Sequence, residues 1–134
     1  MKPIRRILSL LLCAALLTAL FSSCALAEET VYTTVHLNMH RNRSFAKYGV
    51  TVQLDGKTVG HVGQGDQITF GGYLSVGSPH VISLVPDKAS VDTYYIVINS
   101  VQSGATVHFT VQTHVFHVEV SDVHTANCSA ANRY

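Results

Sequence analysis

Residues 50–60 have the sequence VTVQLDGKTVG, which combines a strand pattern with a turn signal. Apolar and polar residues alternate over residues 50–54, which is the pattern of a strand with one buried face. Asp55-Gly56 then favours a two-residue turn in which both residues have positive φ. Residues 57–62 form the return strand, so the sequence predicts a β-hairpin at this position.

The same alternation recurs on both sides of the hairpin. Residues 31–39 alternate in this way, and beyond residue 27 the chain holds 18 Val against 6 Ala and 4 Leu. β-Branched side chains favour strands over helices. The further predicted strands are 68–74, 81–85, 91–98, 106–111 and 115–120. Such a series is typical of a sandwich or small barrel, and we predict an all-β fold, a single seven- to eight-stranded antiparallel β-sandwich.

Valine and a few aromatic side chains are expected to fill the core, because the chain has no Trp. Residues 91–98 carry apolar or aromatic side chains at both alternating positions, so we expect a central strand that is covered on both faces. The aromatic residues expected in the core are Phe70, Phe109, Phe116, Tyr48 and either Tyr94 or Tyr95. Residues 121–134 are small and polar without alternation, and we expect them to form a flexible tail.

The first 27 residues have the features of a secretory signal peptide. Basic residues precede an apolar run at residues 7–21, which is short for a bilayer span, and residues 25–27 are Ala-Leu-Ala, a small-x-small cleavage site. We therefore predict a signal peptide at 1–27, a β-sandwich domain at 28–120 and secretion of the protein. Two alternatives are a membrane anchor helix and lipidation at Cys24, which would attach the protein to the outer face of the cytoplasmic membrane.

Export would change the charge and the cysteine content. The whole chain has a formal net charge of +1, and cleavage after Ala27 removes three of its 9 basic residues and none of its 8 acidic ones. The remaining chain is slightly acidic, which argues against a nucleic-acid partner. Cys13 and Cys24 leave with the leader. The single remaining Cys128 cannot form an internal disulfide, so it is a free thiol or forms a disulfide between chains.

All eight histidines lie beyond the leader. If residues 112–115 form the loop of the last hairpin, His108, His117 and Glu119 share one outward face. Imidazole and carboxylate together are a ligand set that Zn²⁺ accepts. On a common strand, His114 points to the opposite face from His117. The alternative interpretation is that these histidines are solvated side chains that bind no metal.

A basic cluster, Arg41, Arg43 and Lys47, follows the first strand. It is either a solvated loop or a contact surface for an anionic glycan or a cell-wall polymer. The sequence has no Gly-x-Ser-x-Gly motif, and the strand pattern leaves no strand-to-helix turn that would hold a nucleophile. We therefore expect no enzyme activity and no cofactor.

The run KYGVTVQLDGKTVG at residues 47–60 resembles the Y-x-V-x-V-x-x-D-G-K-x-V-G pattern of PEGA-like and related surface β-modules of bacteria. GSPHVISL at residues 77–84 is similar to their G-x-H-x-L-x-L step, although those modules run more directly from Gly to His. FHVEV at residues 116–120 resembles their last strand. The resemblance covers residues 44–120. It implies a small Ig-like β-sandwich with an accessory role outside the membrane, and it implies no catalytic residues.

The expected function is that of a secreted or surface-associated, non-enzymatic binding or accessory protein of the cell envelope. Its partner would be a protein, a glycan or a cell-wall polymer, with membrane contact only if Cys24 is lipidated. One alternative is a small extracellular zinc-binding protein that uses its surface histidines. Another is a structural subunit that pairs with a second chain through a sheet edge.

Overall fold

A computed structural model describes residues 29–42 and 46–133, and their regular structure is entirely β. The predicted signal peptide, with Cys24, and the predicted contact residue Arg43 lie outside the described residues. The strands in the described part of the chain are β1 (Thr30–Met39), β2 (Val50–Leu54), β3 (Lys57–Val62), β4 (Gln67–Ser75), β5 (His80–Pro86), β6 (Tyr94–Asn99), β7 (Thr106–Thr113), β8 (Val118–Ala126) and β9 (Ser129–Arg133).

These strands form two sheets. One has four strands in the order β4-β1-β7-β8, and the other has five in the order β3-β2-β5-β6-β9. A single buried apolar cluster takes side chains from both sheets, so the sheets are two layers over one core, as in a β-sandwich. The all-β prediction is confirmed. The described residues contain nine strands, however, where the sequence predicted seven or eight.

The hairpin in the middle of the chain forms as predicted. β2 pairs with β3 in the antiparallel sense, and the turn residues Asp55 and Gly56 have φ angles of 49° and 81°. Positive φ at both positions gives the turn a twist that matches the twist of the two strands. β1 follows the predicted alternation as well, because it buries every second residue from Thr33 to Met39.

The core contains fewer aromatic side chains than predicted. Phe109 of β7 has the largest fully buried side chain, and Tyr94 of β6 is buried too. Phe70 and Tyr48 are partly buried and pack against this core. Phe116, in contrast, is 85% exposed, because it lies in the loop between β7 and β8. The expectation that residues 91–98 are covered on both faces is wrong. Only one face of β6 packs on the core, and Tyr95 on its other face is exposed.

β1 and β7 are parallel neighbours, so the prediction of an entirely antiparallel fold is wrong at this pair. Their register places Leu37 beside Phe109 and Met39 beside Val111. The chain passes through β5 and β6 of the other sheet before β7 returns beside β1. Alternation and turn residues report on neighbours along the chain, and they carry no information about two strands so far apart in sequence.

The expectation of a flexible tail is also corrected as far as Arg133. Most of β8 and all of β9 lie beyond residue 120, and they pair with β7 and β6. Asp122 and Val123 together oppose Phe109 alone, and the φ of 52° at Asp122 marks this β-bulge. Both strands lie at sheet edges. Beyond Val118 and Val120, which are buried, their residues are mostly small or polar and give no buried stripe, so the usual sequence signal of a strand is absent there.

Two buried threonines are expected to respond in opposite ways to replacement by valine. The Thr33 hydroxyl has no hydrogen-bond partner, so Thr33→Val is expected to raise the free energy of unfolding by about 1 kcal/mol. The Thr113 hydroxyl donates to the Ala46 carbonyl at 2.7 Å and accepts from Gln64 Nε2 at 2.8 Å. Thr113→Val is therefore expected to lower the free energy of unfolding by about 1–3 kcal/mol. Urea unfolding measures both changes. If both variants were stabilised, or both destabilised, the hydrogen-bonding roles assigned to the two hydroxyls would be contradicted.

Candidate functional site

One end of the sandwich carries an open cleft between the segment that follows β1 and the turn that joins β3 to β4. Its volume is about 640 Å³. The lining residues are Arg41, Asn42, Lys47, Gly49, Gly63 and Gln64. Two of the three residues of the predicted basic cluster, Arg41 and Lys47, therefore lie on one cleft.

Hydrogen bonds fix the amide side chains of this cleft. Gln64 Nε2 donates to the Tyr48 carbonyl and to Thr113 Oγ1, each at 2.8 Å, and Gln64 Oε1 accepts from the Asn42 backbone amide at 2.8 Å. The Asn42 side-chain amide donates to the Thr113 carbonyl. These bonds join the segments on either side of residues 43–45 to the β3–β4 turn and to the end of β7. The cleft is thus built on a fixed polar base.

The two cations of the cleft are available to a ligand. Arg41 and Lys47 are both exposed, and neither forms an ion pair with another described residue. The Arg41 side chain lies over Gly65, with its Nε 3.5 Å from the point where a Cβ on Gly65 would stand. Nearby Asp87 is already engaged by His61, at 2.8 Å. Asp66 Oδ2 lies beside Gly63, 3.2 Å from the point where a Cβ on that glycine would stand, but it forms no ion pair with either cation. Among the described residues, the cleft therefore presents two cations without an ion-pair partner.

Two of the three predicted zinc ligands come together, but the third is a different residue. His117 and Glu119 lie with His114, and donor atoms of all three are within 4.8 Å of one another. His114 Nε2 is 2.8 Å from Glu119 Oε2, and the rings of His114 and His117 stack with centroids 4.5 Å apart. His114 and His117 would point to opposite faces only on a common strand, and that condition does not hold, because residues 114–117 form the loop between β7 and β8.

His108 belongs to a separate row of side chains on the outer face of the four-stranded sheet. The predicted loop at 112–115 would have placed it opposite Glu119, but the loop lies two residues later and His108 pairs in register with His124. Its ring stacks on His36, with centroids 4.3 Å apart, and His36 Nδ1 contacts Thr69 Oγ1 at 2.9 Å. The parallel pairing of β1 and β7 creates this row.

The same outer face carries a pair of exposed tyrosines. Tyr32 and Tyr73 lie opposite each other on β1 and β4, with ring centroids 5.2 Å apart in an edge-to-face arrangement. Tyr73 is 73% exposed. Tyr32 covers Gly71, whose missing side chain leaves space for the ring. Exposed rings on a sheet face offer an apolar surface with hydroxyl groups at its rim.

One histidine, His80, is buried, and alternation alone did not predict its burial. His80 is 6% exposed, and its Nδ1 contacts Asp55 Oδ2 at 2.6 Å. Its Nε2 donates to the Ser75 carbonyl at 2.8 Å, and Asp55 Oδ1 accepts from the Val81 amide at 2.9 Å. A carbonyl and a carboxylate both accept, so each ring nitrogen faces an acceptor, and Ser75 Oγ also lies 3.3 Å from Nε2. This pair joins the β2–β3 turn to the start of β5, away from the cleft.

The Cys128 thiol is expected to react slowly. Burial raises the pKa of this thiol, and hydrogen bonds with the Thr106 and Ala126 backbone offset the increase only in part. Less thiolate forms at a given pH, so iodoacetamide is expected to alkylate Cys128 at pH 7.5 several-fold more slowly than in urea-unfolded chain. Mass spectrometry of the Cys128 peptide measures both rates. A folded rate equal to the unfolded rate would contradict the burial.

Comparison with protein-family models, characterised proteins and solved structures finds no match for this chain. Within the described residues, no helix has the length and the apolar character needed to span a bilayer.

Proposed function

We propose that this protein is an exported, non-enzymatic β-sandwich module of the cell envelope that binds a negatively charged polymer in its basic cleft. The observation that carries the proposal is that Arg41 and Lys47 share one cleft while neither has an ionic partner among the described residues. The Ig-like, PEGA-like class of the module and its accessory role rest on the resemblance over residues 44–120. Export rests on the signal-peptide features of residues 1–27.

The arrangement of the cleft favours a polymer over a small anion. Two flexible cations on an open cleft each contribute about 0.5–1 kcal/mol to an exposed ionic contact, which is little for a single anion. A polymer with repeated phosphate, sulfate or carboxylate groups places a new anion in the cleft whenever one dissociates, so weak contacts add up. An anionic wall polymer or an anionic glycan has this chemistry.

A second candidate surface is the outer face of the four-stranded sheet. The exposed pair Tyr32 and Tyr73, beside His36 and His108, offers rings and hydrogen-bonding groups but no permanent charge. Such a face suits stacking of uncharged sugar rings. Binding at this face would not depend on ligand charge, which separates the two candidates.

The test compares dextran sulfate with uncharged dextran on the exported protein. Intact mass, read first, is expected to correspond to residues 28–134. Dextran sulfate is then expected to bind, with an affinity that falls as salt rises. Arg41→Ala combined with Lys47→Ala is expected to weaken binding about tenfold, as the loss of two exposed ionic contacts requires.

Lys57→Ala is the matched control. Lys57 is also an exposed lysine, but it follows the Asp55-Gly56 turn at the other end of β3 from the cleft. Its loss changes the net charge by one unit without changing the cleft, so affinity is expected to stay within twofold. An equal loss of affinity in Lys57→Ala and in Lys47→Ala would mean that net charge alone causes the effect. That result would contradict binding in the cleft. Equal binding of uncharged dextran would favour the tyrosine face.

A further inference from the structure

The loop between β7 and β8 holds three metal-ligating side chains in one place. A nitrogen from each of His114 and His117 and an oxygen from Glu119 lie within 4.8 Å of one another. Around a tetrahedral Zn²⁺ with bonds of about 2.0–2.1 Å, ligand atoms stand about 3.4 Å apart. A metal ion lies in the plane of each imidazole that binds it, so the stack of His114 on His117 opens when the three donors rotate around one ion. His114 and Glu119 already touch at 2.8 Å.

The backbone of this loop is held from three sides. The His114 amide donates to the His117 carbonyl at 2.8 Å, which closes the turn. The Tyr48 hydroxyl lies against the carbonyls of both His114 and His117, the latter at 3.1 Å. Lys88 Nζ donates to the Val115 carbonyl at 3.4 Å. A fixed loop lowers the entropy cost of gathering ligands around a metal ion.

Tyr48 is suited to this anchoring role. It precedes β2 in the other sheet, so its contact ties the β7–β8 loop across the end of the sandwich. Burial raises the pKa of the Tyr48 phenol, although the hydrogen bond with the His114 backbone acts in the other direction. The phenol therefore keeps the proton that it donates to a carbonyl of the loop.

We propose that His114, His117 and Glu119 form a Zn²⁺ site with two imidazole nitrogens, one carboxylate oxygen and a fourth position open to water. Imidazole nitrogen selects Zn²⁺ over the hard cations Mg²⁺ and Ca²⁺, which prefer all-oxygen sites. On binding, the ion replaces the hydrogen bond between His114 and Glu119. Because the ligands are exposed or half-exposed, bound metal exchanges freely with solvent.

The test is a calorimetric titration of the full chain with Zn²⁺, in a Cys13→Ser, Cys24→Ser background that removes the two thiols outside the described residues. We expect one ion per chain and no uptake of Mg²⁺. His114→Ala, His117→Ala and Glu119→Gln are each expected to weaken binding at least tenfold. His124→Ala, an exposed histidine further along β8, is the matched control and is expected to change affinity less than twofold.

Circular dichroism melts of the same variants separate loss of a ligand from loss of the fold. Glu119→Gln keeps the side-chain shape, so its melting temperature is expected to match that of the parent. Weak binding in a variant with an unchanged melt supports the site. Unchanged affinity in all three variants, or an equal loss in His124→Ala, would overturn it. The site uses neither Arg41 nor Lys47, so it can fail or succeed independently of polymer binding.

Discussion

Replacing Phe109 with alanine is expected to lower the free energy of unfolding by about 3–5 kcal/mol. Phe109 is 1% exposed and has the largest fully buried side chain of the described residues. It lies beside Leu37 in the parallel β1–β7 pair, and on its other side it faces the β8 bulge. Backbone pairing holds both neighbours in place, so they do not fill the cavity that the alanine leaves. Domains of this size are commonly stable by only about 5–15 kcal/mol, so this single change removes much of the total.

Phe116→Ala is the matched control for this prediction. It removes the same side chain from a position that is 85% exposed in the β7–β8 loop. A surface change of this kind is expected to alter stability by less than about 0.5 kcal/mol. Urea unfolding followed by far-ultraviolet circular dichroism gives both values. Similar losses in the two variants would mean that Phe109 is not in the core, and would contradict the placement of β7.

His80→Ala is expected to lower the free energy of unfolding by about 2–4 kcal/mol, although a histidine is not an apolar core residue. The change leaves the Asp55 carboxylate and the Ser75 carbonyl without their donor at a site where His80 is almost fully buried. Removing one partner from a buried hydrogen-bonded pair is more damaging than losing a surface contact. Asp55 is half-exposed and recovers part of its solvation from water, which keeps the expected loss below that of a fully buried pair.

His61→Ala tests whether burial, and not pairing alone, gives His80 its effect. His61 also contacts an aspartate, Asp87, at 2.8 Å, but their side chains are 52% and 45% exposed. Exposed ion pairs contribute about 0–1 kcal/mol, so His61→Ala is expected to cost less than about 1 kcal/mol. Urea midpoints at pH 6 compare the two variants. A loss in His61→Ala as large as that in His80→Ala would mean that burial does not set the effect of His80.

Much of the fold is predictable because local chemistry determines it. Alternation in β1 predicts which of its residues are buried, and Asp55-Gly56 predicts the turn whose φ angles are both positive. These signals act between neighbours in sequence. β9 and the part of β8 beyond Val120 lack these signals, because they are edge segments of mostly small and polar residues without an apolar stripe. The parallel β1–β7 pair leaves no local signal either.

In the candidate sites, too, the sequence predicts local features but not contacts between distant segments. The basic cluster at Arg41 and Lys47 is visible in sequence, and so are the ligand types of the β7–β8 loop. The choice of His114 over His108 depends on where the loop begins, and a two-residue difference in register exchanges one for the other. The pairing of His80 with Asp55 depends on how two turns meet in space, which no spacing in the sequence encodes.

Binding of an anionic polymer in the cleft is tested by an amide-resolved NMR titration of the exported protein with a short sulfated dextran oligosaccharide. Chemical shift changes are expected to concentrate around the cleft, at Arg41, Asn42, Lys47, Gly63 and Gln64, and to weaken as salt is added. The outer sheet face around Tyr32 and Tyr73 is expected to stay unchanged. Shifts centred on that face, or spread evenly over all basic residues, would contradict binding in the cleft.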